Sequence, residues 1–401
     1  LPFRFVHTAD IHLDSPLKSL ALKSPDLSER IGNASRAAFS RTVDLCLSEQ
    51  VDALLIAGDL YDGDQTSMKT ALYLARELAR LDAAGISVFI IRGNHDALSK
   101  ITRELELPKN VKLFEAKAEC LQIDRIGSSL DIAIHGLSFR EPRAPDSLLP
   151  LYKPPVEGAV NIGLMHTSLG GSASHDPYAP VSLADLQRSG FRYWALGHIH
   201  LRAQYDGACT VVMPGIPQGR DINEAGAKSV SLVTIADDGS ITVDERVTAS
   251  ARFDRVEVDA SGVTDWSGLV ARLGRRVEEV LSGEGDLHRV LRIRVTGATP
   301  LAWRIRRELD LLQAEAEHHA GRFGKGSVEL VETSAAPLET KSASGGDPVA
   351  ELSDLIAGDV LDSASYRQEA QDAANELMKS LPPELRGLFG QDEAEFSTTI
   401  A

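Results

Sequence analysis

The chain has 401 residues, 43% hydrophobic and 25% charged, a soluble-protein composition too long for one typical domain, so two or three domains are expected. A formal net charge of −16 excludes, taken over the whole chain, a basic protein that coats nucleic acid. Three cysteines (Cys46, Cys120, Cys209) without a C-x-x-C pair exclude a disulfide scaffold and a thiolate zinc site. The chain opens on the strand-like run FRFV, and its longest apolar runs, such as ISVFII at 86–91, are too short to span a bilayer. No secretory signal and no membrane span are therefore expected, and a cytoplasmic location is.

From residue 3 to about 250, short β-rich runs alternate with helical patterns. Strands are predicted at Phe3–Thr8, Ala53–Ala57, Val88–Arg92, Ile132–His135, Asn161–His166 and Tyr193–Gly197, several of them apolar enough to be buried on both faces. Helical spacing of apolar residues covers Ser35–Glu49 and Ser67–Ala84. This alternation predicts a layered α/β domain over residues 1–250. It closes with a hairpin, Ser229–Ala236 and Ile241–Val247, turning on Asp-Asp-Gly-Ser.

A second unit, 251–335, reads β-α-β-α-β with strands at Phe253–Val258, Val290–Val295 and Ser327–Val331. Its second helix is signalled by Thr299 as N-cap, Pro300 at the first helical position and Gly321 after the last turn. Residues 336–347 read as a linker, and 348–401 as a helical tail broken at Pro382-Pro383. The tail's apolar positions are Leu352, Leu355, Ile356, Val360 and Leu361, then Ala370, Ala373, Leu377 and Met378.

The chemistry lies at the strand ends. Asp10 and His12 follow the first strand as D-x-H. Gly58-Asp59-Leu60-Tyr61-Asp62 follows the second, and Gly93-Asn94-His95-Asp96 the third. His166 ends a later strand and Gly197-His198-Ile199-His200 ends another, so every cluster sits at the C-terminal tip where open α/β sheets assemble their sites. Side chains two apart in extended chain leave on one side, so D-x-H and H-x-H can each reach a common point. Carboxylate, imidazole and amide oxygen suit Mn²⁺, Zn²⁺, Fe or Mg²⁺. Seven such groups are too many for one ion and suit two ions sharing a carboxylate.

The ordered set D-x-H, GDLYD, GNHD, His166 and GHIH resembles the calcineurin-like metallophosphoesterase superfamily. More narrowly, ADIHLDSPLKSL at 9–20, YWALGHIH at 193–200 and MPGIPQGRDINEAG at 213–226 resemble SbcD/YhaO-type bacterial DNA-repair exonucleases. The resemblance implies an α/β fold, a four-layer αββα sandwich with 251–335 as a smaller capping, DNA-binding domain. It implies that Asp10, His12, Asp59 and His200 hold a first divalent ion, Mn²⁺ before Mg²⁺, Fe or Zn²⁺. Asp59 would bridge to a second ion held also by Asn94, His166 and His198. His95 would be the general acid in phosphodiester hydrolysis by a hydroxide activated between the two ions, with Asp96 or Asp62 orienting it. Some members carry a histidine at the position of Asp62, and this chain departs from them there. The implied enzyme is a DNA exonuclease acting in repair, its C-terminal helices docked on an SbcC-like coiled-coil ATPase; a homodimer is left open. A small-molecule phosphodiesterase or phosphatase of the same superfamily, and a DNA-end-binding scaffold with structural metals, are the alternatives.

Other residues carry plainer readings. His7 and His135 are expected to be structural, His175 to be solvated, and Gly170-Gly171 to serve a turn. Arg220 and Asn223 either position a substrate phosphate or stabilise their loop. Arg289, Arg292, Arg294, Arg304, Arg306 and Arg307 are read as paired surface cations rather than phosphate contacts, and Trp303 as core. The tail from 345 holds three Lys/Arg against twelve Asp/Glu, a net of −9, and the capping unit from 252 to 335 a net of −1. The acidic balance therefore says little against DNA binding by the catalytic unit, where two divalent ions would offset the charge of Asp10, Asp59, Asp62 and Asp96.

Overall fold

The computed structural model describes residues 1–15, 32–62, 67–97, 107–123, 130–170, 178–283 and 287–338, with scattered positions between 352 and 372. The first sheet runs in the order β12-β11-β1-β2-β3-β4. These strands are β1 (Phe3–Thr8), β2 (Ala53–Ala57), β3 (Ser87–Ile91), β4 (Val111–Leu113), β11 (Ser229–Ile235) and β12 (Ile241–Val247). The second sheet runs β5-β6-β7-β8-β10-β9. It comprises β5 (Glu119–Ile123), β6 (Ile132–Gly136), β7 (Val160–His166), β8 (Tyr193–Gly197), β9 (Ala203–Tyr205) and β10 (Thr210–Met213). β1, β2 and β3 are mutually parallel, as are β7 and β8, so their C-terminal tips emerge on one edge of each sheet.

Strand alternation builds the layers. In β1, Phe3 and Phe5 face a core between the sheets shared with Leu55, Phe89, Ile134, Leu164 and Tyr193. Val6, next after Phe5, faces the other way, onto Phe39 and Val43 of helix α1 (Ala34–Ser48) and Leu74 and Leu78 of helix α2 (Met68–Ala83). On the far side of the second sheet, Trp194, Leu196 and Val211 pack with Leu186 of helix α3 (Leu183–Arg188). Each fully buried large side chain contributes roughly 1.5–3 kcal/mol through burial. The result is the expected α/β sandwich of four layers.

The third sheet is parallel, in the order β13 (Ala251–Asp259), β14 (His288–Thr296) and β15 (Gly326–Thr333). Its connections are α4 (Trp266–Leu281), then α5 (Ala302–Arg307) and α6 (Leu309–Gly321), all three packed on one face through Leu269, Leu273, Val277, Ile305, Leu312 and Ala316. Here the structure corrects the expected single helix. Thr299 accepts the Leu301 N–H and donates to the Val263 carbonyl, the helix begins at Ala302, and the backbone breaks at Glu308 (φ −118°, ψ 37°). Trp303, expected in the core, is 71% exposed, because Ala302 and Ile305 are the α5 residues turned to the sheet.

The short strands β4, β5, β9 and β10 and helix α3 were not signalled by the sequence. β4, β5 and β9 lie toward sheet edges, where half-exposed residues blur the alternation. Among the described residues, no helix is long and apolar enough to cross a membrane. In the tail, Leu352, Leu355 and Ile356 are exposed, while Val360, Leu361, Ala370, Ala373, Leu377 and Met378 lie outside the described residues, as do Gly171 and His175.

His7 is structural as expected. It is fully buried, donates through Nε2 to the Leu196 carbonyl (3.0 Å) and accepts at Nδ1 from the Tyr193 hydroxyl (3.0 Å), which ties the two sheets together. Burial pushes its imidazole down to about 3, so it is neutral when folded. An unfolded histidine titrates near 6.5, so the stability that His7 contributes is complete above about pH 6.5 and is lost as the pH falls toward 3. The unfolding free energy of His7→Gln should therefore fall less steeply on acidification than that of the unmodified chain, by up to about 1.4 kcal/mol per pH unit. Parallel pH curves from urea denaturation would contradict this account.

Candidate metal centre

Five strand ends converge here. Asp10 and His12 follow β1; Asp59 and Asp62 follow β2; Asn94, His95 and Asp96 follow β3; His166 closes β7; His198 and His200 follow β8. Within the first sheet the turns are laced by backbone bonds from Asp10 N–H to the Gly58 carbonyl (3.0 Å) and from His12 N–H to the Asp59 carbonyl (3.1 Å). Between sheets, the His198 N–H donates to the Asp10 carboxylate (2.9 Å) and His166 Nδ1 to the Ala57 carbonyl (2.9 Å).

The backbone is bent to make this possible. Asp10 (φ 52°), His12 (φ 45°), Asp59 (φ 51°) and His198 (φ 100°) all hold left-handed conformations that cost side-chain-bearing residues on the order of 1–3 kcal/mol. At Gly58 (φ 93°) a Cβ would meet His166 Nδ1 at 2.5 Å, and at Gly93 one would meet Asp59 Oδ1 at 2.3 Å and His166 Nε2 at 2.7 Å. Glycine is what lets the chain approach the buried imidazole.

Two clusters of donor atoms, each within 4.8 Å, result: Asp10 with His12 and His200, and Asp10 with Asp59 and His166. His12 Nδ1 donates to Asp62 (2.7 Å) and His200 Nδ1 donates to Glu224 (2.7 Å). With those protons committed, both Nε2 atoms present lone pairs, and they face each other across 3.3 Å. Likewise His166, its Nδ1 bonded to a carbonyl, turns Nε2 toward two acceptors, Asn94 Oδ1 (3.0 Å) and Asp59 Oδ2 (3.3 Å). His198 Nδ1 reaches the same Asn94 oxygen at 3.2 Å. Lone pairs aimed at lone pairs repel unless a cation lies among them, so the donor set fits divalent metal. The charge distribution says the same. Burial pushes the Asp10 carboxyl up. Asp59, which burial would also raise, is instead held below the usual carboxylate range by His166, and His166, which burial would lower, is held up at about 9 by Asp59. Burial, then the His166 charge, lowers His198 to about 4.

His95 stands outside both clusters. It is half-exposed, with Nδ1 3.3 Å from Asp62, a hydrogen bond that raises its pKa. Asp62 therefore serves two imidazoles, backing His12 and His95. A grouping of His12, Asp62 and His95 also has metal-ligand spacing, but Asp62 meets His12 at Nδ1, on the ring edge away from His200. Asp96 corrects an expectation: its carboxylate does not orient His95. It is fully buried and accepts the Leu60 N–H (2.9 Å) and the Gly93 N–H (2.6 Å), fixing two of the turns, and burial pushes it up to about 7.

Of the two loop residues, Arg220 lies at the site, paired with Glu224 (2.8 Å) and 3.4 Å from His200 Nδ1. Asn223 instead accepts from Arg255 of β13 (3.1 Å). Glu224 carries no mark in the sequence: it stands in the same QGRDINEAG run, and nothing in its spacing distinguishes it. His135 donates to Asn161 (2.8 Å), away from the site. The arginines of the unit 251–335 are paired as expected: Arg289 with Asp254, Arg292 with Glu329, Arg294 with Glu332, and Arg304 and Arg307 with Glu308, while Arg306 donates to the Ala335 carbonyl.

Comparisons with known proteins agree with this geometry. A calcineurin-like phosphoesterase family model matches residues 3–202, and one for the middle domain of metallophosphoesterase YhaO matches 253–335. An uncharacterized metallophosphoesterase YhaO of Bacillus subtilis is 34% identical over 284 residues, covering 69% of this chain and 67% of that protein. The DNA double-strand break repair protein Mre11 of Sulfurisphaera tokodaii is 29% identical over 219 residues, about half of each protein (53% and 54%). Its counterpart in Sulfolobus acidocaldarius is 21% identical over 381 residues, 91% of this chain and 92% of that protein.

Because a methyl group at Gly93 would strike both Asp59 and His166, Gly93→Ala should keep its far-ultraviolet circular dichroism yet bind Mn²⁺ roughly tenfold more weakly or worse by isothermal titration calorimetry. Unaltered affinity would show that the close approach is not needed.

Proposed function

The chain belongs to the calcineurin-like metallophosphoesterase family, whose members hydrolyse phosphoester bonds, and we propose that this one is a metal-dependent DNA exonuclease acting in repair. The observation that carries the proposal is the meeting of two donor clusters with a half-exposed, protonatable His95 at their rim. That the relatives include Mre11 proteins named for DNA double-strand break repair supports DNA as the substrate.

Asp10, His12, Asp59 and His200 would hold one divalent ion, and Asp59, Asn94, His166 and His198 the other. Such ions, Mn²⁺ the best fit to this mixed oxygen and nitrogen set, activate water and neutralise charge on phosphoryl oxygens. The protein's own groups do the rest. The buried turns fix the donors without further movement, and Asp96 holds two of those turns in place. Asp62 accepts from His95 Nδ1, which stabilises the imidazolium and leaves Nε2–H to pass its proton to the leaving oxygen. Arg220 adds a cation near the first cluster. The tail, 348–401, is the segment we assign to an SbcC-like coiled-coil ATPase, and a cytoplasmic location fits that role.

Digestion of end-labelled single- and double-stranded DNA with Mn²⁺ or Mg²⁺, run beside a cyclic nucleotide, tests this directly. Shortening of DNA from its ends supports the exonuclease; hydrolysis of the cyclic nucleotide alone would make the protein a small-molecule phosphodiesterase. His95→Ala should lower kcat on DNA by roughly 10²–10⁴-fold while still binding Mn²⁺. An unchanged kcat would remove His95 as the acid. Deleting the tail should abolish pull-down of a purified SbcC-like ATPase, and retained binding would refute the docking assignment.

A further inference from the structure

The four candidate imidazole ligands are not backed alike. His12 and His200 each donate Nδ1–H to a carboxylate, Asp62 and Glu224, at 2.7 Å. His166 donates to a neutral carbonyl, Ala57. His198 turns Nδ1 itself toward Asn94. A carboxylate on the far nitrogen fixes the ring and raises the basicity of the nitrogen facing the metal, whereas a carbonyl fixes the ring but adds no charge. Asp10 stands in both clusters, and beside His166 and His198 the further oxygen is the neutral Asn94 amide.

Glu224 is held more firmly than a surface carboxylate. Arg220 pairs with it through Nε and the guanidinium terminus, and the Arg220 N–H donates to its Oε2 (2.7 Å). The short 3-10 turn Ile222–Glu224 that carries it is seated against the first strand of the third sheet. Ile222 is buried with Phe253 and Val290, the Gly226 N–H donates to the Phe253 carbonyl (2.9 Å), and Arg255 donates to Asn223. Just upstream, Gln218 bonds Ala251 in both directions. The turn is thus anchored on one side by the capping sheet and presents a fixed carboxylate to His200 on the other.

We infer that Glu224, locked by Arg220, is a positioning residue for His200 and makes the cluster of Asp10, His12 and His200 the tighter of two unequal cation sites. This deepens the two-ion reading above and rests on it. The unit 251–335 then supplies the anchor for one metal-facing imidazole.

The test is calorimetric titration of Mn²⁺ into the full chain, with circular dichroism to verify folding. The unmodified protein should bind two ions in two resolved steps. Glu224→Ala should weaken the tighter step by about 10–100-fold and leave the weaker step within about twofold. Glu224→Gln, which keeps an acceptor for His200 but loses the charge, should weaken it less; this near-isosteric variant decides the matter if the alanine variant does not fold. Equal weakening of both steps would mark Glu224 as merely structural and overturn the inference, as would two indistinguishable steps in the unmodified protein or an unaltered tighter step in the variants. Failure of the unmodified protein to bind Mn²⁺ at all would instead bring down the two-ion reading itself.

Discussion

Asp10 and Asp59 are buried carboxylates, and beside them stand imidazole nitrogens whose lone pairs face one another or face oxygen. Burying such groups together is unfavourable in a medium of low dielectric unless positive charge lies among them. That electrostatic demand organises this edge of the molecule. It accounts for the pairing of His166 with Asp59, and for the carboxylates Asp62 and Glu224 stationed behind two of the rings. It also explains why polar groups of such density are tolerated at the rim of a core otherwise made of Phe, Leu, Ile and Val.

The fold meets the demand by concentrating strain where the two sheets abut. Four candidate ligands sit at positive φ, and glycines at 58 and 93 let neighbouring turns close on His166. Parallel strands are what bring these turns side by side, since β1, β2 and β3 release their chains at one edge, opposite the ends of β7 and β8. The remaining strands complete the sheets and bury the inter-sheet core, so the positions of the donors are set by packing far from the site.

Much of this is legible in the sequence. The strands at 3–8, 53–57 and 193–197 have the expected bounds, because the runs FRFVHT, ALLIA and YWALG are rich in aromatic and aliphatic residues and give way to Gly or polar residues. The D-x-H, GDLYD, GNHD and GHIH clusters stood out because the site takes its donors from consecutive strand tips. What stayed hidden depends on tertiary partners. Glu224 looks like any other loop acid until its bond to His200 is seen. Asp96 and Asp62 are indistinguishable by spacing, yet one bonds backbone amides and the other two imidazoles. Trp303 reads as core in the sequence, but the break at Glu308 and the facing of Ile305 leave it in solvent. The acidic charge of the whole chain is a poor guide to the catalytic unit, because over half of it belongs to the tail.

The most direct measurement of the central claim is anomalous scattering from crystals of the full chain grown with Mn²⁺. The account predicts two peaks flanking Asp59, one against Asp10, His12 and His200 and the other against Asn94, His166 and His198. A single peak, or peaks away from these residues, would contradict it.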